Sequence, residues 1–102
     1  MDGMPVPARL ADPMVPLPFR ITRVIREIDG VFTWRLKALD GAPFHFRPGQ
    51  FNMVTQFGVG EIPVSISGDC RRPQTLVHTI RAVGPVTEAM QGLRAGAIVG
   101  IR

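Results

Sequence analysis

Two segments of the sequence combine residue types that could hold a phosphorylated ligand. The stretch "GVGEIPVSISG" carries the small hydroxyl of Ser65 in an alternating apolar and polar run, and "HTIRAVGPVT" carries Arg81, Gly84 and Thr87. Gly84 to Thr87 is the expected start of a helix, where unpaired amides, a hydroxyl and a glycine that admits close approach suit an anion. Arg81, six residues before Thr87, could reach the same anion. These residues predict a phosphate site.

The first of these segments also raises a question about its strand. Alternation from Val64 to Ser67 is typical of a half-buried strand, yet Pro63 stands in the middle of the run and cannot donate to a central ladder. Gly58 and Gly60 resemble the start of a dinucleotide fingerprint, but the next required glycine is Pro63 and no helix follows. A loop between two strands is the better interpretation of the glycines.

Metal binding and nucleophilic catalysis find little support. The softer metal donors are His45, Cys70 and His78, and no pair of them has close ligand spacing. We therefore expect both histidines to be packed or half-exposed strand residues. Ser65, His78 and Asp69 could be drawn as a catalytic triad, but no strand–turn–helix elbow surrounds the serine. We expect no metal site and no catalytic acid or base.

The positions of glycines, prolines and alternating runs predict six strands and one short helix. The predicted strands are "FRITRVIREI" from Phe19, Val31–Leu39, "QFNMVTQF", the run within Gly58–Gly68, Thr75–Val83 and "AIVGIR", with a helix over Pro85–Leu93 before the last strand. Asp29-Gly30 predicts a two-residue hairpin turn of the type that matches strand twist. The predicted fold is all-β, a six-stranded antiparallel Greek-key barrel with one short helix.

The second predicted strand has the clearest division into faces. Phe32, Trp34 and Leu36 alternate with Arg35 and Lys37, so one face is apolar and the other charged. Aromatic residues on the apolar face are more typical of a core than of a base-stacking platform.

Composition limits the remaining choices. The chain has 102 residues, a net charge of +4 and a single cysteine, Cys70, which excludes an internal disulfide and a cysteine-based cluster. Five prolines fall before Phe19, so residues 1–18 are expected to be an extended leader and residues 19–102 the barrel domain. No apolar run is long enough for a membrane span, no signal peptide is indicated, and a cytoplasmic location is expected.

Four motifs carry a resemblance to a known family. Taken in order, "FRPGQFNMV", "GVGEIPVSISG", "HTIRAVGPVTEAM" and "GLRAGAIVGIR" resemble the FAD-binding domain of the ferredoxin–NADP reductase family over residues 19–102. Within that family the sequence is most similar to nickel–iron hydrogenase gamma subunits, to the corresponding subunit of anaerobic sulfite reductase, and to the dihydroorotate dehydrogenase electron-transfer subunit.

The resemblance assigns cofactor-binding roles to particular residues. They are Ile62, Pro63, Val64 and Ser65 beside the flavin ring and ribityl chain, Thr79, Ile80 and Arg81 on the next strand, and Gly84, Val86 and Thr87 at the pyrophosphate turn. The family motif has arginine where this chain has Ile62 and tyrosine where it has Val64. The resemblance therefore leaves Arg81 as the charged partner of the pyrophosphate.

The resemblance implies an oxidoreductase subunit that passes electrons between NAD(P)H and an iron–sulfur or hydrogenase-type partner through FAD. The expected partners are a C-terminal nucleotide-binding domain and the catalytic subunits of a hydrogenase or reductase, with NAD(P) and an iron–sulfur cluster held outside this segment. No nucleic-acid partner is expected, and the segment alone is not expected to turn over. FMN in place of FAD, a non-enzymatic barrel that binds single-stranded nucleic acid or protein, and an empty folded module remain as alternatives.

Overall fold

The structure, a computed structural model, describes residues 14–102. In chain order the elements of this range are β1 (Leu17–Arg26), β2 (Val31–Ala38), β3 (Phe51–Gln56), β4 (Gly60–Ser65), β5 (Leu76–Arg81), α1 (Pro85–Gln91) and β6 (Ile98–Ile101). The predicted set of six strands with a helix before the last one is confirmed. β1 begins at Leu17, two residues before the predicted start at Phe19, and residues 1–13 of the predicted leader lie outside the described range.

The six strands form one antiparallel sheet that nearly closes on itself. Their order is β4-β3-β6-β1-β2-β5, so β6 returns to lie between β1 and β3, as in the predicted Greek-key barrel. The two edge strands meet just past the end of β4, where Ile66 bridges His78 and the Ser67 amide donates to the Val77 carbonyl at 2.9 Å. The sheet is therefore a barrel with one incomplete seam, between β4 and β5.

The barrel interior is filled by the residues that the alternation in β2 predicts to face inward. Phe32, Trp34 and Leu36 are at most 1% exposed, whereas Arg35 and Lys37 are exposed. The Phe32 and Trp34 rings are in contact, with centroids 5.5 Å apart. The interpretation of these aromatics as core residues is confirmed, and they leave no stacking platform on this strand.

The turn between β1 and β2 differs from the predicted one. Gly30 has φ +76°, while no residue other than glycine has a positive φ among the described residues, so Asp29 is not left-handed. A mirror-image two-residue turn needs positive φ at both central positions. Instead the Val31 amide donates to the Ile28 carbonyl and the Glu27 amide to the Val31 carbonyl. Asp29 and Gly30 therefore remain the central residues of the turn, but the strand pairing resumes between Glu27 and Val31.

The helical content of the described range is small. α1 has seven residues, and within residues 14–102 no helix has the length and apolar character that crossing a bilayer requires.

Candidate functional site

A groove opens along the incomplete seam of the barrel. Its volume is about 450 Å³, and we call it the β4–β5 groove. The residues that line it are Ile62, Pro63, Val64, Ser65, Thr79, Ile80, Arg81, Val83 and Thr87. Eight of the ten residues that the sequence resemblance assigns to the cofactor thus lie around one cavity. The other two, Gly84 and Val86, are not part of its lining.

Pro63 lacks a hydrogen-bond donor on the open side of the seam. The Ile66 amide donates to the Gln50 carbonyl across the β3–β4 ladder, and backbone groups of an antiparallel strand alternate in direction. Pro63, three residues earlier, therefore directs its nitrogen away from β3 and loses no hydrogen bond there. Continuing the register of the Ile66–His78 bridge would set Pro63 opposite Arg81. Because proline has no N–H to donate at that point, a β4–β5 ladder extended along the groove would lack this hydrogen bond, which disfavours closure of the seam.

The β4 side of the groove combines an apolar wall with a polar rim. Val64 is 9% exposed and belongs to the core, and Ile62 packs against that core. Pro63 and Ser65 alternate with them and are exposed. A flat apolar ring could therefore lie against β4 with the Ser65 hydroxyl at its edge.

The β5 side supplies the positive charge. Arg81 is exposed, lines the groove and has no hydrogen bond or ion pair through its side chain to any described residue. By contrast, Arg71 is paired with Asp69 and Arg102 with Glu61, at 3.0 and 2.7 Å. These ion pairs lower the pKa of each carboxyl group below its ordinary value, through the hydrogen bonds that the arginines donate. Arg81 is thus a guanidinium available to an external anion.

Thr87 has a structural task at the start of α1. Its Oγ1 accepts hydrogen bonds from the Val83 amide at 2.8 Å and the Gly84 amide at 3.0 Å, and donates to the Gly84 carbonyl at 3.2 Å. The side chain is 7% exposed. Its hydroxyl therefore fixes the turn before the helix, and the phosphate contact expected from the sequence stays a prediction.

Close packing holds α1 over the first residue of β4. A Cβ atom added to Gly60 would lie 2.7 Å from Cγ2 of Val86, a distance that real Cβ contacts do not show. Gly58, with φ +81°, forms the preceding turn. The two glycines of "GVG" are thus explained by a turn and by helix packing; the interpretation as a loop holds for Gly58, whereas Gly60 is the first residue of β4. Val86 contributes by positioning the helix.

The buried His78 of β5 contacts β4 from the core side of the groove. His78 is fully buried, its Nδ1 lies 3.0 Å from the Ser65 carbonyl oxygen, and its Nε2 lies 3.0 Å from the side-chain oxygen position, Oδ1, of Asn52. Burial lowers the pKa of His78 to about 4, against a smaller opposing effect of the bond to Ser65. The ring is therefore neutral near pH 7 and has one N–H, at Nδ1, because the Ser65 carbonyl can only accept; Nε2 then accepts from Asn52 when the amide nitrogen of Asn52 is turned towards the ring. The expectation of a packed histidine is confirmed for His78; His45 is exposed and lies outside the strands.

The arrangement does not form a catalytic triad. His78 is hydrogen-bonded to the main-chain oxygen of Ser65 and not to the Ser65 hydroxyl. The Asp69 carboxylate accepts hydrogen bonds from Arg71. Within residues 14–102 no group of three or more His, Cys, Asp or Glu side chains is placed to hold a metal ion.

Sequence reasoning missed three residues of this site. Val83 lines the groove and is 74% exposed, and Asn52 and His78 brace β4 from the core. The position of Val83 between Arg81 and Gly84 could have pointed to it. Nothing in the sequence pairs Asn52 with a histidine 26 residues later.

Known proteins resemble this chain in sequence and in fold. No protein-family model matches the chain. A probable dihydroorotate dehydrogenase B (NAD(+)) electron transfer subunit from Methanocella arvoryzae is 38% identical over 89 residues, which are 87% of this chain and 31% of the relative. Sulfhydrogenase 2 subunit gamma from Pyrococcus furiosus is 45% identical over 60 residues, 58% of this chain and 20% of the relative. The chain thus spans about a third or less of these relatives.

Solved structures show the same barrel. A ferredoxin NADP+ reductase from Neisseria gonorrhoeae with bound FAD and NADP matches with a TM-score of 0.70 and 16% identity, over 82% of this chain and 35% of that one. Phthalate dioxygenase reductase matches with a TM-score of 0.70 and 15% identity, over 84% and 28%. At these identities the likeness concerns the fold. The resemblance found in the sequence is therefore confirmed: the chain has the barrel fold of the ferredoxin–NADP reductase family and is a relative of electron-transfer and gamma subunits.

Proposed function

We propose that this chain is the flavin-binding domain of an electron-transfer oxidoreductase subunit, and that FAD occupies the β4–β5 groove. One observation carries the proposal: residues from two edge strands and the start of α1, far apart in the sequence, line a single cavity. The relatives named as electron-transfer and gamma subunits support it, as does the barrel fold shared with a reductase that has bound FAD.

The residues of the groove fit the parts of a flavin nucleotide. Ile62, Pro63 and Val64 offer apolar surface for the ring, and the exposed hydroxyl of Ser65 offers a hydrogen bond to its polar edge. Thr79, Ile80 and Arg81 continue along the opposite strand, where the unpaired guanidinium suits a phosphate. Bound FAD would supply the redox chemistry, taking up a pair of electrons and releasing them singly. The chain's own part is to hold the flavin and to limit its contact with water.

The Thr79 hydroxyl has a defined hydrogen-bonding direction. Thr33 Oγ1 donates to a Glu27 carboxylate oxygen at 2.8 Å, and Thr79 Oγ1 lies 2.8 Å from Thr33 Oγ1. Because the single Thr33 proton goes to the carboxylate, Thr79 must donate its own proton to Thr33. Thr79 Oγ1 then has no proton left to donate and can only accept a further hydrogen bond. A ribityl hydroxyl could donate that bond.

The rest of the assembly lies outside this segment. We infer that further parts of the full protein bind NAD(P) and an iron–sulfur cluster, and that a hydrogenase or reductase catalytic subunit exchanges electrons with them. The names of the relatives as subunits, and the third or less of their length that the chain spans, support this inference. Residues 19–102 would form the flavin domain of a cytoplasmic protein.

Flavin titration tests the assignment of the groove. FAD, FMN and riboflavin are titrated against the chain by visible absorption and by quenching of flavin fluorescence. Arg81→Ala should lower the affinity for FAD and FMN by about tenfold. The affinity for riboflavin, which has no phosphate, should be unchanged. Arg72→Ala removes an exposed arginine outside the groove and is the matched control. A wild-type chain that binds none of the three flavins, but binds an oligonucleotide in a salt-dependent manner, contradicts the proposal.

Thr87→Asp tests the same site through charge. A carboxylate oxygen can still accept from the Val83 and Gly84 amides, so the variant keeps these two hydrogen bonds while adding a negative charge to the groove. Because the carboxylate cannot donate to the Gly84 carbonyl, thermal stability should also fall, and the expected loss of FAD affinity is measured at a temperature where both chains are folded. Unchanged affinity would place the phosphates elsewhere.

A further inference from the structure

Four cationic side chains lie together on the outer face of the hairpin formed by β1 and β2. The antiparallel register sets Arg20 opposite Lys37 and Arg23 opposite Arg35. All four are exposed, and the residues that alternate with them belong to the core. We call these four residues the basic patch.

No carboxylate of residues 14–102 neutralises the basic patch. None of its side chains has an ion pair or hydrogen bond with a residue of the described range. The residues paired with the patch on the flanking strands are Ile98, opposite Arg20, and Val77, opposite Arg35. Most other arginines of residues 14–102 are also unpaired, so what distinguishes this face is that like charges stand directly opposite each other in two successive cross-strand pairs.

This arrangement works against the stability of the barrel. Side chains directly opposite each other on antiparallel strands have Cβ atoms about 5 Å apart, and like charges there are destabilising. A single glutamate in each pair would turn repulsion into attraction. Two adjacent like-charged pairs therefore indicate that the face has a role other than folding.

We propose that the basic patch is a docking surface for an acidic surface of a partner protein. Charge complementarity identifies the partner: carboxylates opposite the patch would remove the repulsion that the free barrel carries. Nucleic acid fits less well, because the aromatic residues of these strands, Phe19, Phe32 and Trp34, are buried and cannot stack on bases. β2 neighbours β5, but no residue of the patch lines the β4–β5 groove, and neither does Val77, the β5 residue opposite Arg35, so docking leaves the groove open.

Charge reversal tests the proposal with poly-L-glutamate as the acidic probe, measured by isothermal titration calorimetry at low and physiological salt. The variant Arg23→Glu with Lys37→Glu places one acidic residue in each pair. The control variant Arg72→Glu with Arg94→Glu has the same net charge, with both changes at exposed positions outside the patch. The patch variant should bind the probe about tenfold more weakly than the control variant does.

Thermal stability is a second measurement, and it should rise in the patch variant while probe binding falls. The patch variant should unfold at a temperature higher by roughly 2–5 °C, because two cross-strand attractions replace two repulsions. Weaker binding together with a more stable fold supports a docking role. Equal loss of binding in both variants would show an effect of net charge alone and overturn the proposal, as would tighter binding of a single-stranded oligonucleotide or of anionic lipid vesicles than of poly-L-glutamate. FAD titration of the patch variant should match wild type, which keeps this test separate from that of the groove.

Discussion

The imidazole of His78 donates a hydrogen bond from Nδ1 to the main-chain oxygen of Ser65, 3.0 Å away. Ser65 is the last residue of β4, at the point where the seam with β5 begins to open. A buried side chain of β5 thus binds the end of β4 where regular pairing between the two strands ceases. The edge of the groove is held by this contact and by the bridge that follows it.

Acid should destabilise the fold through His78. Its pKa is about 4 in the folded protein, against 6.5 for an ordinary histidine, so the unfolded chain binds the proton more tightly. The stabilisation is fully present above pH 6.5 and is lost as the pH falls towards 4. The pKa difference corresponds to about 3 kcal/mol as an order of magnitude. Urea unfolding at several pH values measures this loss.

Histidine variants identify the source of the pH dependence. His78→Gln should lower stability at pH 7 and flatten the profile between pH 6.5 and 4, whereas His45→Gln, at an exposed position, should leave the profile as in wild type. A profile that persists in His78→Gln would assign the effect to carboxyl groups.

Pro63→Ala should narrow the groove. Alanine supplies the N–H that proline lacks, so β4 can extend its pairing with β5 towards Arg81. We expect FAD to bind about tenfold more weakly and thermal stability to change little. Flavin titration measures the first effect, and slow hydrogen exchange of the new amide reports the added pairing. Pro85→Ala is the control, because an amide at the first position of α1 has no intrahelical partner.

Free exchange of the new amide, with unchanged flavin affinity, would show that Pro63 does not keep the seam open.

Side-chain periodicity made the barrel predictable. In β2, alternation identified Phe32, Trp34 and Leu36 as core residues, and glycine and proline marked most strand ends. Arg81 could be predicted as a groove residue from two properties that the sequence shows, its position before the start of α1 and its positive charge. These features are local, and a single sequence records them directly.

Other features depend on contacts between distant segments. The sequence predicts a phosphate contact for the Thr87 hydroxyl but not the hydrogen bonds that it accepts from the Val83 and Gly84 amides. The contact of His78 with Asn52 joins β5 to β3, and the hairpin turn at Asp29 depends on a backbone angle. No periodic pattern encodes these contacts, since each follows from how the barrel closes.

The threonine at the start of α1 should be required for its capping bonds. Thr87→Val removes an oxygen that accepts two amide hydrogen bonds, and we expect a loss of about 1 kcal/mol in the free energy of unfolding. Thr87→Ser retains the hydroxyl and should lose much less. Urea unfolding of the two variants makes the comparison. Equal losses would indicate that the methyl group of Thr87, and not its oxygen, stabilises the turn.

The contact between Gly60 and Val86 should determine where α1 lies. Gly60→Ala places a methyl group 2.7 Å from Cγ2 of Val86, and the stiff branched side chain has little freedom to move away. We expect a loss of roughly 1–3 kcal/mol and weaker FAD binding as the helix shifts. Gly84→Ala is the matched control, because its added methyl group meets no atom within 4 Å and its extended backbone suits any residue.

A double-mutant cycle separates this clash from other effects of losing the glycine. Val86→Ala removes the atom that alanine at position 60 would meet, so Gly60→Ala should cost much less in the Val86→Ala background. The coupling free energy should favour the double variant by about 1 kcal/mol or more, as expected for two residues in direct contact. Additive losses would mean that the helix does not rest on Gly60, and flavin affinity should then be independent of residue 86.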